Sequence, residues 1–272
     1  MRQFRNIATV MLSKLSVPYL LAAAAVLALP VVVAARDWTE IRFGVDPVSK
    51  PFTYVSDEGH LVGFDMEIAN ALCAEMKAHC SFVEQNWDGL IPALKARKFD
   101  AVLPGMMITE ERRRTIDFTD VYYKVPTRIV AHANSGPGTP ASLKDKRVGA
   151  LRGSVQERYV NVVLAPAGAV AVSYDNEQQM FLDLKSGRID ATVIVGPDAD
   201  EQFLKTADGR GFGFVGPALN DSKVFGPGAG IALRQTDPDL RDRLNAAIKA
   251  IRANGTYKKI NDKYFSFDIY GG

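Results

Sequence analysis

Pro92-Ala93-Leu94-Lys95-Ala96-Arg97-Lys98-Phe99-Asp100-Ala101 returns ninety residues later as Leu182-Asp183-Leu184-Lys185-Ser186-Gly187-Arg188-Ile189-Asp190-Ala191. In both copies a helical end runs through a short basic link into an apolar residue, then Asp and Ala opening a strand. Helix and strand patterns alternating in this way build α/β layers with largely parallel sheets. Outward from the repeat, Ile41-Arg42-Phe43-Gly44-Val45 reads as an opening strand for the first copy, and Arg147-Val148-Gly149-Ala150-Leu151 for the second. The chain is therefore expected to build one kind of lobe and then to build it again. Asn134-Ser135-Gly136-Pro137-Gly138-Thr139-Pro140 between them reads as a turn-rich surface loop.

The remaining elements follow from spacing and caps. Ile68, Leu72 and Met76, with Ala71 between them, form one apolar stripe and predict a helix from about Asp65 to Lys77. A second helix is expected from about Trp87 to Arg97, feeding a strand at Phe99-Asp100-Ala101-Val102-Leu103. Near the C-terminus Ala229-Gly230-Ile231-Ala232-Leu233 reads as a strand. A helix from Pro238 to about Ala253 follows, with Asp237 as its expected cap, Pro at its first position and Gly255 as its stop.

With 47% hydrophobic and 24% charged residues over 272 positions, the chain reads as ordinary globular protein. Its first 35 residues stand apart. Arg2, Arg5 and Lys14 precede an apolar run from Val17 to Val33, which ends in Ala34-Ala35 before Arg36-Asp37. That is the layout of a cleavable signal peptide, with cleavage expected after Ala35. A membrane anchor is the competing reading, since the run sits at the lower edge of the roughly 17–25 residues that span a bilayer. The small residues at its end favour cleavage, and without a Cys after the run no lipid-anchored form is expected. Cleavage removes three of the 33 basic residues and no acidic ones, leaving 30 against 31 and a net charge of −1. Nothing in that balance calls for nucleic acid.

Cys73 and Cys80 are the two cysteines, and an even pair in an exported chain reads first as a disulfide. Seven residues of continuous helix rise about 10.5 Å, beyond the ~4.4–6.8 Å between Cα atoms that a disulfide bridges. The helix must therefore end between them, with Cys80 folding back at the start of the strand Ser81-Phe82-Val83. Two thiols without a nearby His/Cys pair do not complete a tetrahedral metal shell, so neither metal nor cofactor is expected.

Other motifs carry less. Gly211-Phe212-Gly213-Phe214-Val215-Gly216 matches a dinucleotide fingerprint in letters, but Pro217 follows at once and no amphipathic helix opens there. Glu110-Glu111-Arg112-Arg113-Arg114 mixes both signs and reads as a solvated helix start, Arg112 excepted. His60, His79 and His132 show no paired spacing, and no Gly-x-Ser-x-Gly or His-Glu-x-x-His motif occurs.

Gly63-Phe64-Asp65-Met66-Glu67-Ile68-Ala69-Asn70-Ala71-Leu72 closely resembles the signature of the amino-acid-type periplasmic solute-binding proteins, and Ile108-Thr109-Glu110-Glu111-Arg112 resembles their second signature. The likeness covers nearly all of residues 39–270. It takes in the cysteine pair, Gly153-Ser154-Val155-Gln156-Glu157 and the closing Gly255-Thr256-Tyr257 with Lys263-Tyr264-Phe265. Within the family the sequence resembles lysine/arginine/ornithine- and histidine-binding members, and Gln85-Asn86-Trp87-Asp88-Gly89 also resembles opine-binding ones. The resemblance implies a bilobed periplasmic binding protein type II fold, two α/β lobes joined by two crossover hinges near Lys124-Val125-Pro126 and Asn220 to Phe225. Residues 1–35 would be the signal peptide, 36–123 with 226–272 one lobe, and 127–219 the other. It also implies a periplasmic monomer whose partners are a small amino-acid-like ligand and the membrane permease of an ABC transporter.

The chemistry of the implied cleft can be argued at several positions. Thr109 is a plausible N-cap three residues before Arg112, placing that guanidinium in a first turn where free amides already favour an anion. A planar fork there grips a carboxylate with two parallel hydrogen bonds, and Arg112 matches the family's carboxylate-binding arginine. The amides of Ser154 and Val155, at a strand-to-helix turn flanked by Leu151 and Gln156, are expected to cradle the same carboxylate. Asp46 ends the first strand at its carboxyl edge, where ligands bind in open α/β sheets. It matches the position that meets the ligand side chain in basic-amino-acid members, and Trp87 matches a stacking aromatic.

Departures from the family pattern bear on the ligand. Ser49 stands where relatives carry an aromatic lid, and Pro104, Gly105 and Met107 where they place serines. Val195 stands where an acid usually neutralises the α-ammonium. A buried ammonium without a carboxylate costs several kcal/mol, so either Asp198 or Asp200 moves in, or the ligand is an N-modified amino acid. Arg152 adds a positive charge beside the anion site. Two other functions compete: a cyclohexadienyl dehydratase-like enzyme, for which Glu157 is the nearest candidate acid or base, and a ligand-sensing partner of a receptor.

Overall fold

Asp100 and Asp190 show why the repeated segment recurs. In the computed structural model, which describes residues 37–271, Asp100 accepts hydrogen bonds from the Arg42 amide and guanidinium at 3.1 and 3.0 Å. Asp190 does the same for Arg147 at 2.8 and 3.3 Å. Each aspartate amide in turn donates to the carbonyl of the same arginine, at 2.8 Å in both cases. Two residues beyond each arginine stands a glycine whose missing side chain makes room for the residue before the aspartate. A Cβ on Gly44 would fall among the ring atoms of Phe99, and one on Gly149 would lie 2.7 Å from Ile189. Arg-x-Gly and apolar-Asp-Ala are thus two halves of one packing unit, used once in each lobe.

Two five-stranded sheets carry these units. The first has the order His79–Glu84, Glu40–Val45, Ala101–Met107, Ala229–Leu233, Asp117–Phe118; the second has Val170–Tyr174, Arg147–Leu151, Ala191–Val195, Thr127–His132, Phe212–Leu219. In each, the opening strand pairs in parallel with the two strands that follow it, Phe43 opposite Ala101 and Val148 opposite Ala191. An antiparallel strand then flanks the third. A small three-stranded sheet, Val48–Ser49, Thr53–Val55 and Leu61–Val62, leads into the helix Phe64–Met76. The chain passes from the first sheet to the second through residues 119–126 and back through residues 220–228.

Several elements match the expected bounds residue for residue, among them the strands Arg147–Leu151 and Ala229–Leu233 and the helix Pro238–Ala253. Others shift. Asp237 does not cap its helix; its carboxylate instead holds the Arg234 guanidinium at 2.7 Å, a stronger charged bond than a cap. The helix expected from Trp87 begins as a 3-10 turn, Trp87–Gly89, before Leu90–Lys95. The strand expected at 99–103 runs instead through Pro104 and Gly105 to Met107. Proline is accommodated where the pairing with Glu40–Val45 has stopped at Val102 and the pairing with Ala229–Leu233 is irregular between Val102 and Met106.

Cys73 and Cys80 form a disulfide with Cα atoms 6.2 Å apart. The helix ends at Met76, Lys77 turns left-handed, and the strand His79–Glu84 brings Cys80 back. The dinucleotide look-alike runs from Gly211 into the strand Phe212–Leu219, with no helix opening behind it. His60, His79 and His132 are exposed. The expected leader and its cleavage point after Ala35 lie outside the described residues.

Candidate functional site

The strands Glu40–Val45, Ala101–Met107, Arg147–Leu151 and Ala191–Val195 all end at one cavity between the lobes, the position where open α/β sheets bind ligands. Of the residues marked from sequence, Asp46, Ser49, Trp87, Pro104, Gly105, Met107, Arg112, Leu151, Ser154, Val155, Gln156 and Val195 line it, whereas Arg152, Glu157 and Asp200 do not, Asp200 being paired with Lys205 at 2.8 Å. Among the residues that complete the wall are Phe52, Tyr123, Met180, Glu177 and Asp198.

One end is built for an anion. The Thr109 side chain accepts the Arg112 amide at 3.2 Å and caps the turn Glu110–Arg113. The buried Arg112 guanidinium donates to the Met107 carbonyl at 2.8 Å and, across the cleft, to the Gly153 carbonyl at 3.1 Å. Trp87 lies over it, 5.6 Å from ring centre to guanidinium carbon, so the indole supports the arginine as well as lining the cavity. Burial lowers the Arg112 pKa to about 10, which leaves it charged at neutral pH. From the other lobe Ser154 caps the helix Val155–Tyr159 by accepting the Glu157 amide at 3.0 Å. The Ser154 amide itself is tied to the Leu151 carbonyl at 3.2 Å. Of the two amides expected to face an anion, Ser154 is thus already engaged, while Val155 lies with Gln156 in the first helical turn, where amides have no intrahelical acceptor. The Gln156 side chain is held by Thr127 at 3.0 Å.

The other end is acidic. Asp46, Glu177 and Asp198 are 6%, 7% and 4% exposed. Burial pushes Asp46 up to about 6, against the opposing bonds from the Trp87 and Val48 amides. Burial raises Glu177 to about 7, with the Asp46 charge adding to it and a Gln202 hydrogen bond opposing it. Asp198 is raised well above the usual carboxylate range by burial and then by the charge of Glu177. Its Oδ2 accepts the Ser49 hydroxyl at 3.0 Å, whereas its Oδ1 is buried without a hydrogen-bond partner. Asp198 reaches the cavity because Gly196-Pro197 turns the chain directly after Val195 into a short helix, one turn beyond the position where an acid was sought.

Arg152 and Glu157 have other duties. Arg152 is exposed and paired with Asp175 at 2.8 Å. Glu157 accepts the Gly153 amide at 2.7 Å and the Ser173 hydroxyl, which commits the carboxylate to fixing the helix start. Further cross-lobe contacts join Gln178 to the Val48 carbonyl at 3.3 Å and Arg158 to Glu111. Among the described residues no group of three or more His, Cys, Asp or Glu side chains is placed to hold a metal ion.

A family model, bacterial extracellular solute-binding proteins, family 3, matches residues 41–267. The chain is 49% identical over 250 residues to an L-arginine-binding protein of Pseudomonas aeruginosa, covering 92% of this chain and 95% of that one. It is 46% identical over 234 residues to a histidine-binding periplasmic protein of Salmonella typhimurium, covering 86% and 90%. Its fold superposes with a TM-score of 0.78 on an ancestral arginine-binding protein bound to arginine, at 34% identity and with 85% and 100% of the chains covered.

Proposed function

The chain belongs to the bacterial extracellular solute-binding proteins, family 3, and on that footing we propose that it is the substrate-binding component of an amino-acid ABC importer, carrying a basic amino acid to the membrane permease. The observation that carries this reading is the unpartnered, buried Oδ1 of Asp198 in the same cavity as the Arg112 guanidinium. An α-amino acid offers the two complementary groups on one carbon. Its carboxylate meets the Arg112 fork and the first amides of the helix Val155–Tyr159, while its ammonium meets Asp198, which takes over from Val195. Asp46 receives the side-chain cation. The similarity to arginine- and histidine-binding proteins supports the same ligand class.

In this reading residues 36–123 with 226–272 form one lobe, 127–219 form the other, and the segments around Lys124-Val125-Pro126 and Asn220 to Phe225 are hinges. The protein works as a periplasmic monomer after cleavage behind Ala35. Because ligand groups from both lobes meet one small molecule, binding draws the lobes together. Small-angle scattering is expected to show a smaller radius of gyration with saturating arginine than without it. Unchanged dimensions at saturation would contradict the hinge assignment.

The raised carboxylates make binding depend on pH. Asp46 and Glu177, at about 6 and 7, hold protons near pH 5 that a bound cation must displace. The cation favours the ionised forms, so affinity for basic ligands rises from pH 5 to 8 and protons are released on binding. Calorimetry in buffers of different ionisation heat measures that release directly. Affinity that falls over this window would refute the reading. A thermal-shift series over arginine, lysine, ornithine, histidine and neutral amino acids tests the ligand class. Ligand at 100 times its Kd adds about 2.7 kcal/mol of stability, and a failure of all the basic amino acids to raise the melting temperature would sink the proposal.

A further inference from the structure

Glu177 is not among the groups assigned above to the α-carboxylate or the α-ammonium, yet it is buried at the cavity wall with a neutral amide as its hydrogen-bond partner. Gln202 Nε2 donates to its Oε2 at 2.7 Å. The charges that act on Glu177 and Asp198 are those of other acids, and burial raises the pKa of both. A carboxylate kept in that setting without a cation is costly, and a bound cation relieves the cost. Glu177 opens the helix Glu177–Lys185 after a strand of the second sheet, whereas Asp46 follows a strand of the first. The two acids therefore reach the same cavity from different lobes.

Resting on the amino-acid reading above, we propose that Glu177 and Asp46 form a two-sided cradle for the ligand's side-chain cation, and that the cradle selects a guanidinium. A guanidinium carries five N–H donors in a planar fork, more than one carboxylate can accept, whereas an ammonium is a compact charge that one carboxylate and water satisfy. Glu177 is also tied to closure of the lobes. Gln178 Nε2 reaches both the Val48 carbonyl of the first lobe and the Gln202 Oε1, each at 3.3 Å, and Gln202 then holds Glu177. A hydrogen-bonded chain thus runs from the lid side of one lobe to the acid of the other. Gln202 is placed by the π-helical turn Asp200–Leu204, a local widening of the kind often found at functional sites.

Calorimetric titration of wild-type and Glu177→Gln protein with arginine, lysine and citrulline tests the cradle, citrulline being the uncharged isostere of arginine. The substitution keeps the shape and the Gln202 contact. Arginine affinity is expected to fall roughly 10- to 100-fold, lysine affinity less, and citrulline affinity by no more than about threefold. Gln202→Ala should move the arginine-to-citrulline ratio in the same direction by a smaller factor, and it provides the same readout if Glu177→Gln does not fold. An unchanged ratio in the variants overturns the role of Glu177 and leaves the amino-acid site standing. Equal losses for arginine and lysine overturn the guanidinium preference. Wild-type protein that binds none of the three ligands overturns the guanidinium cradle, and the amino-acid reading falls with it only if ornithine, histidine and the neutral amino acids of the thermal-shift series fail as well.

Discussion

Arg112→Ala is expected to weaken every ligand that carries a free α-carboxylate, by about 2–5 kcal/mol, or roughly 30- to several-thousand-fold. The substitution removes a charged fork and leaves a desolvated carboxylate facing the Met107 and Gly153 carbonyls that the guanidinium had occupied. Basic and neutral amino acids should lose alike, because the shared end of the molecule is affected and the side-chain end is not. Arg112→Lys should recover little, since a point charge cannot reproduce two parallel bonds. Titration of arginine and of any neutral ligand found in the thermal screen checks both statements. Affinity within a few-fold of wild type in Arg112→Ala would remove the anion site from the account.

Asp198→Asn is expected to change two readouts in opposite directions. In the ligand-free protein the substitution takes away a buried carboxylate whose Oδ1 has no partner and whose neighbours are acids. The melting temperature at pH 7 to 8 should therefore rise, because the native state no longer has to keep that charge out of water. Amino-acid binding should fall on the order of 100-fold, since the α-ammonium loses its counter-charge. Stability against function is the usual compromise at a binding site. The sign of the pH effect follows from linkage. A carboxylate whose pKa is raised on folding binds its proton more tightly in the native state, so its ionised form subtracts stability as pH climbs through the usual carboxylate range toward the raised value. The gain in Asp198→Asn should consequently be larger at pH 8 than at pH 5. A variant that melts lower than wild type while binding arginine normally would show that Asp198 is a structural acid.

The lobed architecture could be read before the structure because its repeat is written in residues with strict geometric duties. Arg42, Gly44, Phe99 and Asp100 must all be what they are for one strand to lie against another, and Arg147, Gly149, Ile189 and Asp190 repeat the set. Where sequence reasoning slipped, the cause was competition for a side chain or a backbone group. Asp237 has the residue type of a cap, but an arginine three residues earlier takes its carboxylate. Pro104 and Gly105 look like strand breakers, but one neighbouring ladder ends at Val102 and the other is irregular opposite them. Gly105 is also where the Tyr123 ring packs, 2.5 Å from where a Cβ would stand.

In the cavity the anion side was legible and the acidic side was half legible. Arg112 sits in a motif, and Asp46 follows a readable strand. Asp198 could only be offered as one of two candidates, because whether it reaches inward depends on the turn at Gly196-Pro197. Glu177 gave no signal. An acid at the first position of a helix, behind an Asn cap that accepts the Gln179 amide at 2.9 Å, ordinarily just meets the helix dipole in water. Its burial comes from tertiary packing that the local sequence does not encode, including the turn Asp200–Leu204 that brings Gln202 against it.

The central claim is that one amino acid is held at both substituents of its α-carbon. Calorimetric titration of the ligand-free protein with L-arginine, agmatine and Nα-acetylarginine tests it most directly, since agmatine lacks the carboxylate and the acetyl derivative lacks the ammonium. The account predicts one-to-one binding of arginine with a Kd of about 1 μM or tighter, near −8 kcal/mol, and losses of at least about 100-fold for each of the other two. Agmatine or Nα-acetylarginine binding as tightly as arginine would contradict it.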